Sequence, residues 1–236
     1  MKTNYLTLFF IVATFAIILI LFYFITKDVF YYPSKIKAGN KIDEVIIGNQ
    51  VWKSTNLDLD TFRNGDLIPH VESDEAWVKA GENQQPAWCY YDNSSEYGKK
   101  YGKLYNWYAV NDPRGLAPEG FHIPTDNEWI SLTSFLGGES ISGGKMKIKG
   151  ITFWQAPNVG ATNESGFSAL PGGDRGNDGS FTYITGCATF WTATEIGTNH
   201  ACGRYLYNWS GGLQRANGFN DANKKSSGAS VRCVKD

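Results

Sequence analysis

Residues Gly120–Trp129 read GFHIPTDNEW, which places His122 four and six residues ahead of Asp126 and Glu128. Three titratable side chains this close together could form a catalytic cluster, but the same letters also spell the start of a helix. Thr125 followed three residues later by Glu128 is a capping box: the hydroxyl accepts from the Glu128 N–H, and the carboxylate accepts from the Thr125 N–H. Asp126 and Glu128 then fall in the first turn, where negative charge meets the positive end of the helix dipole. Trp129, Leu132, Phe135 and Leu136 follow at helical spacing toward a core until Gly137-Gly138 stops the run. The carboxylates are accounted for without a reaction, and His122, between Phe121 and Ile123, reads as a hydrogen-bonding strut. The stretch therefore predicts the main helix of a domain, and function has to be sought elsewhere.

The 236 residues are 42% hydrophobic and 15% aromatic, with 26 glycines and eight tryptophans. That balance suits a loop-rich, β-leaning domain better than a helical bundle. A formal net charge of -1 gives no long-range field for nucleic acid or for an anionic lipid surface, so a nucleic-acid partner is not expected.

Tyr5–Ile25 is an apolar run of 21 residues with neither charge nor proline, long enough to cross a bilayer as a helix. It exceeds the core of a cleaved signal and no convincing cleavage site follows, so residues 1–26 are read as an uncleaved transmembrane anchor rather than a signal peptide. Lys27, Lys35, Lys37 and Lys41 after the span would, counted literally, keep the following domain inside. That rule weakens ahead of a long domain, and four cysteines without CxxC spacing fit two disulfides in an exported domain better than a zinc ribbon. The expected location is therefore membrane-anchored and extracytoplasmic.

Residues 27–43 read as a polar linker, and 44–236 as one domain. EVIIGNQVW is expected to form a tight hairpin about Gly48-Asn49. Tyr101–Val110 is a second possible helix. GFSALPGG, GSFTYI, ATFWTATE, GRYLYNW and ASVRCVKD are expected as short strands between glycine-rich turns.

Six blocks in order, GNQVWKSTNL, YGKLYNWYAV, GLAPEGFHIPTDNEW, GATNESGFSALPGG, FWTATE and SVRCVKD, resemble the Fibrobacter succinogenes major paralogous domain over about Val45 to Asp236. The resemblance implies an α+β, C-type lectin-like domain with a twisted antiparallel sheet, one or two helices and long loops. It implies no reaction. A more distant likeness to formylglycine-generating, sulfatase-modifying enzymes offers an enzyme as the alternative. Those enzymes use a reactive cysteine pair near the closing strand, however, and Cys233 stands alone there. Many family members carry cysteine where this chain has Ala117, and Cys187 and Cys202 are not familiar family positions. The pairing inferred beside the resemblance is Cys89 with Cys233 and Cys187 with Cys202, the latter closing only 14 intervening residues.

Lectin-like domains often hold sugar through calcium, using Glu-Pro-Asn or Trp-Asn-Asp triplets that this chain lacks. DRGNDGS from Asp174 looks like the opening of an EF-hand loop but has Gly176 at the third position and Thr185 at the twelfth, where a bidentate Glu is needed. Asp174, Asn177 and Asp178 could still supply oxygens to a looser calcium site, although such residues also build ordinary turns. Otherwise no cofactor is expected. For a glycan, aromatic rings stack on the apolar sugar face while polar groups bind hydroxyls, which selects Trp191, Glu195, Arg204, Tyr207, Asn208 and Trp209. Set against this, most tryptophans of a glycine-rich chain fill its core. SGGK at Ser142–Lys145 and GGDRGNDG lack phosphate-loop spacing. The expected function is a non-catalytic surface module that binds glycan or a protein partner, with an enzyme or a structural spacer as the competing readings.

Overall fold

The computed structural model describes residues 43–216 and 223–236. The apolar run Tyr5–Ile25 and the linker through residue 42 lie outside them. Among the described residues no helix is long and apolar enough to cross a membrane.

The described residues fold as a mixed α+β unit with three antiparallel sheets. The predicted hairpin forms: β1 (Glu44–Ile47) and β2 (Gln50–Lys53) pair from Ile47↔Gln50 to Glu44↔Lys53, with Gly48 at φ 63 supplying the left-handed turn. Next come α1 (Asp74–Glu82), β3 (Trp88–Cys89), α2 (Ser95–Tyr101), β4 (Leu104–Asn106) and α3 (Trp107–Val110). They are followed by β5 (Phe121–His122), α4 (Asp126–Phe135), α5 (Glu139–Met146), β6 (Asp174–Arg175) and β7 (Phe181–Thr182). A long hairpin of β8 (Cys187–Gly197) and β9 (His200–Tyr207) leads to β10 (Leu213–Ala216), β11 (Gly228–Ala229) and β12 (Val234–Lys235). The sheet orders are β1-β2-β12-β5, β10-β9-β8 and β3-β4-β11-β6-β7.

Among the described residues five short α-helices replace the one or two expected of the domain. Tyr101–Val110 divides into a strand and a single helical turn, and GFSALPGG contributes only two isolated bridges, Lys147↔Ala169 and Gly173↔Ala188. In α4 the capping box is present, with Thr125 Oγ1 accepting from the Glu128 N–H at 3.3 Å and Glu128 Oε2 accepting from the Thr125 N–H at 2.7 Å. Trp129, Leu132 and Leu136 are buried in an aromatic-rich core, where Trp129 lies 5.0 Å from Trp52, 5.7 Å from Phe167 and 5.6 Å from Phe190. Phe135 was expected in that core but is 60% exposed. At about 100° per residue it falls off the Trp129–Leu132–Leu136 stripe, and its ring lies over Gly48.

His122 is a strut with two ends: Nε2 meets Glu128 Oε1 at 2.7 Å and Nδ1 meets Asp236 Oδ1 at 2.8 Å, tying β5, the helix start and the C-terminus together. Burial works against the charged ring, but the bonds to Asp236 and Glu128 win and raise His122 above its ordinary range. A raised histidine contributes stability that is complete below its unfolded value, about 6.5, and is lost as pH rises through the folded value. The urea midpoint of the full chain should therefore fall between about pH 6 and pH 8, and that slope should flatten in His122→Gln. A slope retained by the variant would assign it to another group.

The four cysteines are free and buried. Cys187 faces Tyr207 in the β8–β9 register, five residues along the strand from Cys202, or about 17 Å at 3.4 Å per residue. A bridge requires Cα atoms within about 7 Å, so the expected Cys187–Cys202 bridge is not formed. Nor is Cys89–Cys233. Cys89 packs with Trp77, Tyr91 and Leu104, whereas Cys233 packs in a separate cluster with Tyr105, Trp107 and Phe121.

Candidate functional site

Period-two alternation divides the β8–β9–β10 sheet into two unlike faces. Ala188, Phe190, Leu206 and Leu213 line one of them and fill the core beneath α4 and α5. Cys187 and Thr189 on β8, opposite Tyr207 and Tyr205 on β9, line the other. The β6–β7 hairpin borders this second face and opens a cleft of about 240 Å³, lined by Asp174, Asn177, Asp178, Thr182, Tyr183 and Thr189 among others.

The hairpin is held from below by Arg175, which is fully buried between the rings of Trp77 and Phe181, 4.6 and 4.7 Å from their centroids. Its Nε donates to Gly179 O at 2.9 Å and Nη1 to Val71 O at 2.8 Å. Nη2 donates to Glu72 O at 2.7 Å and to Asp74 Oδ1 at 2.9 Å. Above it, Asp174 receives the hydroxyl of Thr182 at 2.5 Å on one oxygen and that of Thr189 at 3.1 Å on the other. Burial raises the Asp174 carboxyl above the usual carboxylate range, and the two hydroxyls pull it only partway back. Asp178 accepts from both the N–H and the hydroxyl of Ser180, at 3.0 and 2.7 Å, the pattern of a polar turn. Among the described residues no group of three or more His, Cys, Asp or Glu side chains is placed to hold a metal ion.

Beside the cleft, three rings from β9 and the turn after it stack in a row. Tyr205 and Tyr207 are 6.2 Å apart at 8°, and Tyr207 and Trp209 are 4.4 Å apart at 20°. Tyr205 is buried, Tyr207 half-buried, and Trp209 is 55% exposed. Tyr183 links the row to the cleft: it lines the cleft, is 58% exposed, and adds to the field that raises the Tyr207 hydroxyl, an effect owed mainly to burial. Its backbone φ of 62 is unusual for a bulky side chain, and such strain tends to persist where a site requires it.

The Trp209 turn is fixed from inside. Lys147, without exposed surface, donates to Val159 O, Tyr207 O and Ser210 O at 2.9, 2.8 and 2.7 Å. Burial pushes its ammonium down to about 8, while three carbonyl acceptors favour the proton. Asn208 is a strut in the same turn, its Nδ2 donating to Ala156 O at 3.0 Å and its backbone carbonyl accepting from the Val159 N–H at 2.7 Å.

The expected ligand residues therefore divide. Asp174, Asn177 and Asp178 line the cleft, Tyr207 and Trp209 belong to the ring row, and Asp174 and Tyr183 lie near enough to Tyr207 to act on its hydroxyl. Trp191 is a core residue, 1% exposed, with Nε1 donating to Tyr105 O. Arg204 points to the opposite face, is 2% exposed, and pairs with Asp126. Asn208 is buried, and Glu195 sits at the far end of the hairpin in an ion pair with Lys225. Alternation could have separated Arg204 from Tyr205 and Tyr207. Nothing in the sequence marks Tyr183, Thr189 or Lys147, because only the packing of distant loops brings them to the site.

The fold and site together define an α+β domain of antiparallel sheets that displays an aromatic turn beside a polar cleft. This chain belongs to the Fibrobacter succinogenes major domain family, whose model matches residues 45–235. No curated protein and no solved structure matches it.

Proposed function

We propose that this chain is a non-catalytic, glycan-binding surface module with a C-type lectin-like architecture, held outside the cytoplasm by Tyr5–Ile25 acting as a membrane anchor. The observation that carries the reading is the Tyr205–Tyr207–Trp209 row, whose outermost ring is bare and whose flank is a polar cleft. Stacked rings give a rigid apolar platform for one face of a sugar, and the cleft supplies acceptors for its hydroxyls. Calcium is a variable of the test, since Asp174, Asn177 and Asp178 carry oxygens of the kind that bind it.

The buried cysteines support the non-catalytic reading over the sulfatase-modifying alternative. Burial raises the thiols of Cys89 to about 11 and of Cys187 and Cys233 to about 12, which disfavours a thiolate nucleophile. A protein partner is the second reading, favoured by the exposed Phe135 ring on the β1–β2 turn.

The test is a glycan array probed with the detergent-solubilised full chain, with and without calcium. Trp209→Ala should weaken binding to any sugar retained by at least tenfold, about 1.4 kcal/mol. Its urea midpoint should fall by no more than the equivalent of about 1.5 kcal/mol, the cost of losing one stacked aromatic pair. A uniformly negative array, or full binding by the variant, would sink the glycan reading.

A further inference from the structure

The cleft lined by Asp174, Asp178 and Tyr183 presents acceptors and almost no positive charge. Arg175 is the single cation among its described lining residues, and its guanidinium is spent on three backbone carbonyls and Asp74 beneath the floor. The hydroxyls of Thr182 and Thr189 are directed onto Asp174, and that of Ser180 onto Asp178. The loop N–H groups are used in the same way: Gly176 N donates to Ser180 O at 2.7 Å, Gly179 N to Gly176 O at 3.0 Å, and Ser180 N to Asp178. An incoming anion would thus meet two carboxylates, no unengaged cationic side chain among the described lining residues, and three loop N–H groups already bonded within the turn.

The surroundings do not reverse this. The adjoining hollow along α1, about 520 Å³, carries Asp74, Glu75, Glu82 and Asp178 against Lys79. A third hollow adds Lys224 beside Glu82 and Asn177. A like charge brought against such a surface is repelled, whereas sugar hydroxyls and amines are donors that carboxylates accept well.

We propose, on the glycan reading given above, that this site selects neutral and amino-bearing sugars and rejects acidic ones, with Asp178 as the specificity-determining residue at the open side of the cleft. Asp178 is exposed, and its bonds to Ser180 use one carboxylate oxygen, leaving the second to face a ligand. An asparagine there retains an acceptor for Ser180 and removes the charge.

The experiment compares binding of the full chain to three matched sets of oligosaccharides: neutral, free-amine, and uronate or sulfated. It is repeated with Asp178→Asn and at two ionic strengths. Neutral and amine sets should bind, and the acidic set should bind at least tenfold more weakly. Asp178→Asn should narrow that gap several-fold, and higher salt should narrow it too. Preference for the acidic set, or an unchanged gap in a folded Asp178→Asn, would overturn the inference while leaving glycan binding intact. Absence of binding to all three sets would remove the glycan reading and this inference together.

Discussion

Replacing Asp126 by Ala should lower the stability of the domain by about 3–5 kcal/mol, the cost of leaving a buried charge without its partner. Asp126 is 5% exposed and closes two ion pairs at once. Arg204, 2% exposed, donates Nη2 to its Oδ1 at 2.5 Å and to its backbone carbonyl at 3.1 Å. Arg215 donates Nε to both carboxylate oxygens, at 3.1 and 2.9 Å, and forms a further close contact through Nη2. Removing the carboxylate strands Arg204 inside the β8–β9–β10 sheet, while the half-exposed Arg215 can still turn to water. The urea midpoint of the purified chain measures the effect. Asp126→Leu combined with Arg204→Met should recover most of the loss, because an apolar pair of similar volume is often neutral in place of a buried ion pair. A loss below about 1 kcal/mol for the single variant would show that the pair does not hold the sheet to the helix.

The same site sets the acid limit. Burial alone would raise the Asp126 carboxyl, but Arg215 and Arg204 outweigh it and lower it below the usual range. A lowered carboxylate stabilises at every pH above its unfolded value, about 3.9, and that contribution is lost as pH falls through the folded value. Acid unfolding should thus steepen below about pH 4, and the steepening should be absent in the double variant.

Gly143→Ala should cost about 3 kcal/mol or more, at the upper end of what overpacking does. A Cβ there would lie 2.1 Å from Gly212 O and 2.4 Å from its carbonyl carbon, and backbone cannot swing aside as a flexible side chain can. The two segments are also bonded, Gly144 N–H to Gly211 O at 2.7 Å. In an exposed helix the same change would gain roughly 1 kcal/mol from helix propensity, so the sign of the measured shift decides the matter. Because Gly211-Gly212 follows directly on the Trp209 turn, glycan binding should fall along with stability. A stabilised variant would mean that α5 does not touch this turn.

These two sites show what could be read from the chain and what could not. Thr125, Glu128, Trp129 and Leu132 announced α4 because a capping box and its apolar stripe are local patterns, complete within a dozen residues. Gly48-Asn49 announced the β1–β2 hairpin for the same reason. SGGK looked only like a failed phosphate loop, since two glycines are poor helix formers and nothing nearby shows that their missing side chains admit the backbone at Gly212. Asp126 was read as a favourable charge on a helix dipole, although its larger role depends on two arginines more than seventy residues away.

By itself, then, the sequence determined the α+β class, the start of the main helix, the first hairpin, the strands of the long β8–β9 hairpin and the family. The helix start, the hairpin and the strands rest on periodicity, capping or turn chemistry that acts between near neighbours, whereas the class and the family rest on the resemblance carried by the six ordered blocks. Only the tertiary structure decided that Trp191 and Arg204 are interior, that Cys187 and Cys202 stand too far apart to bridge, and that Asp174, Tyr183, Tyr207 and Trp209 share one surface. The register of β8 on β9 fixes the first two, because it sets which side chains leave on which face and how far apart they lie, and the packing of the β6–β7 hairpin and its flanking loops against that sheet fixes the third.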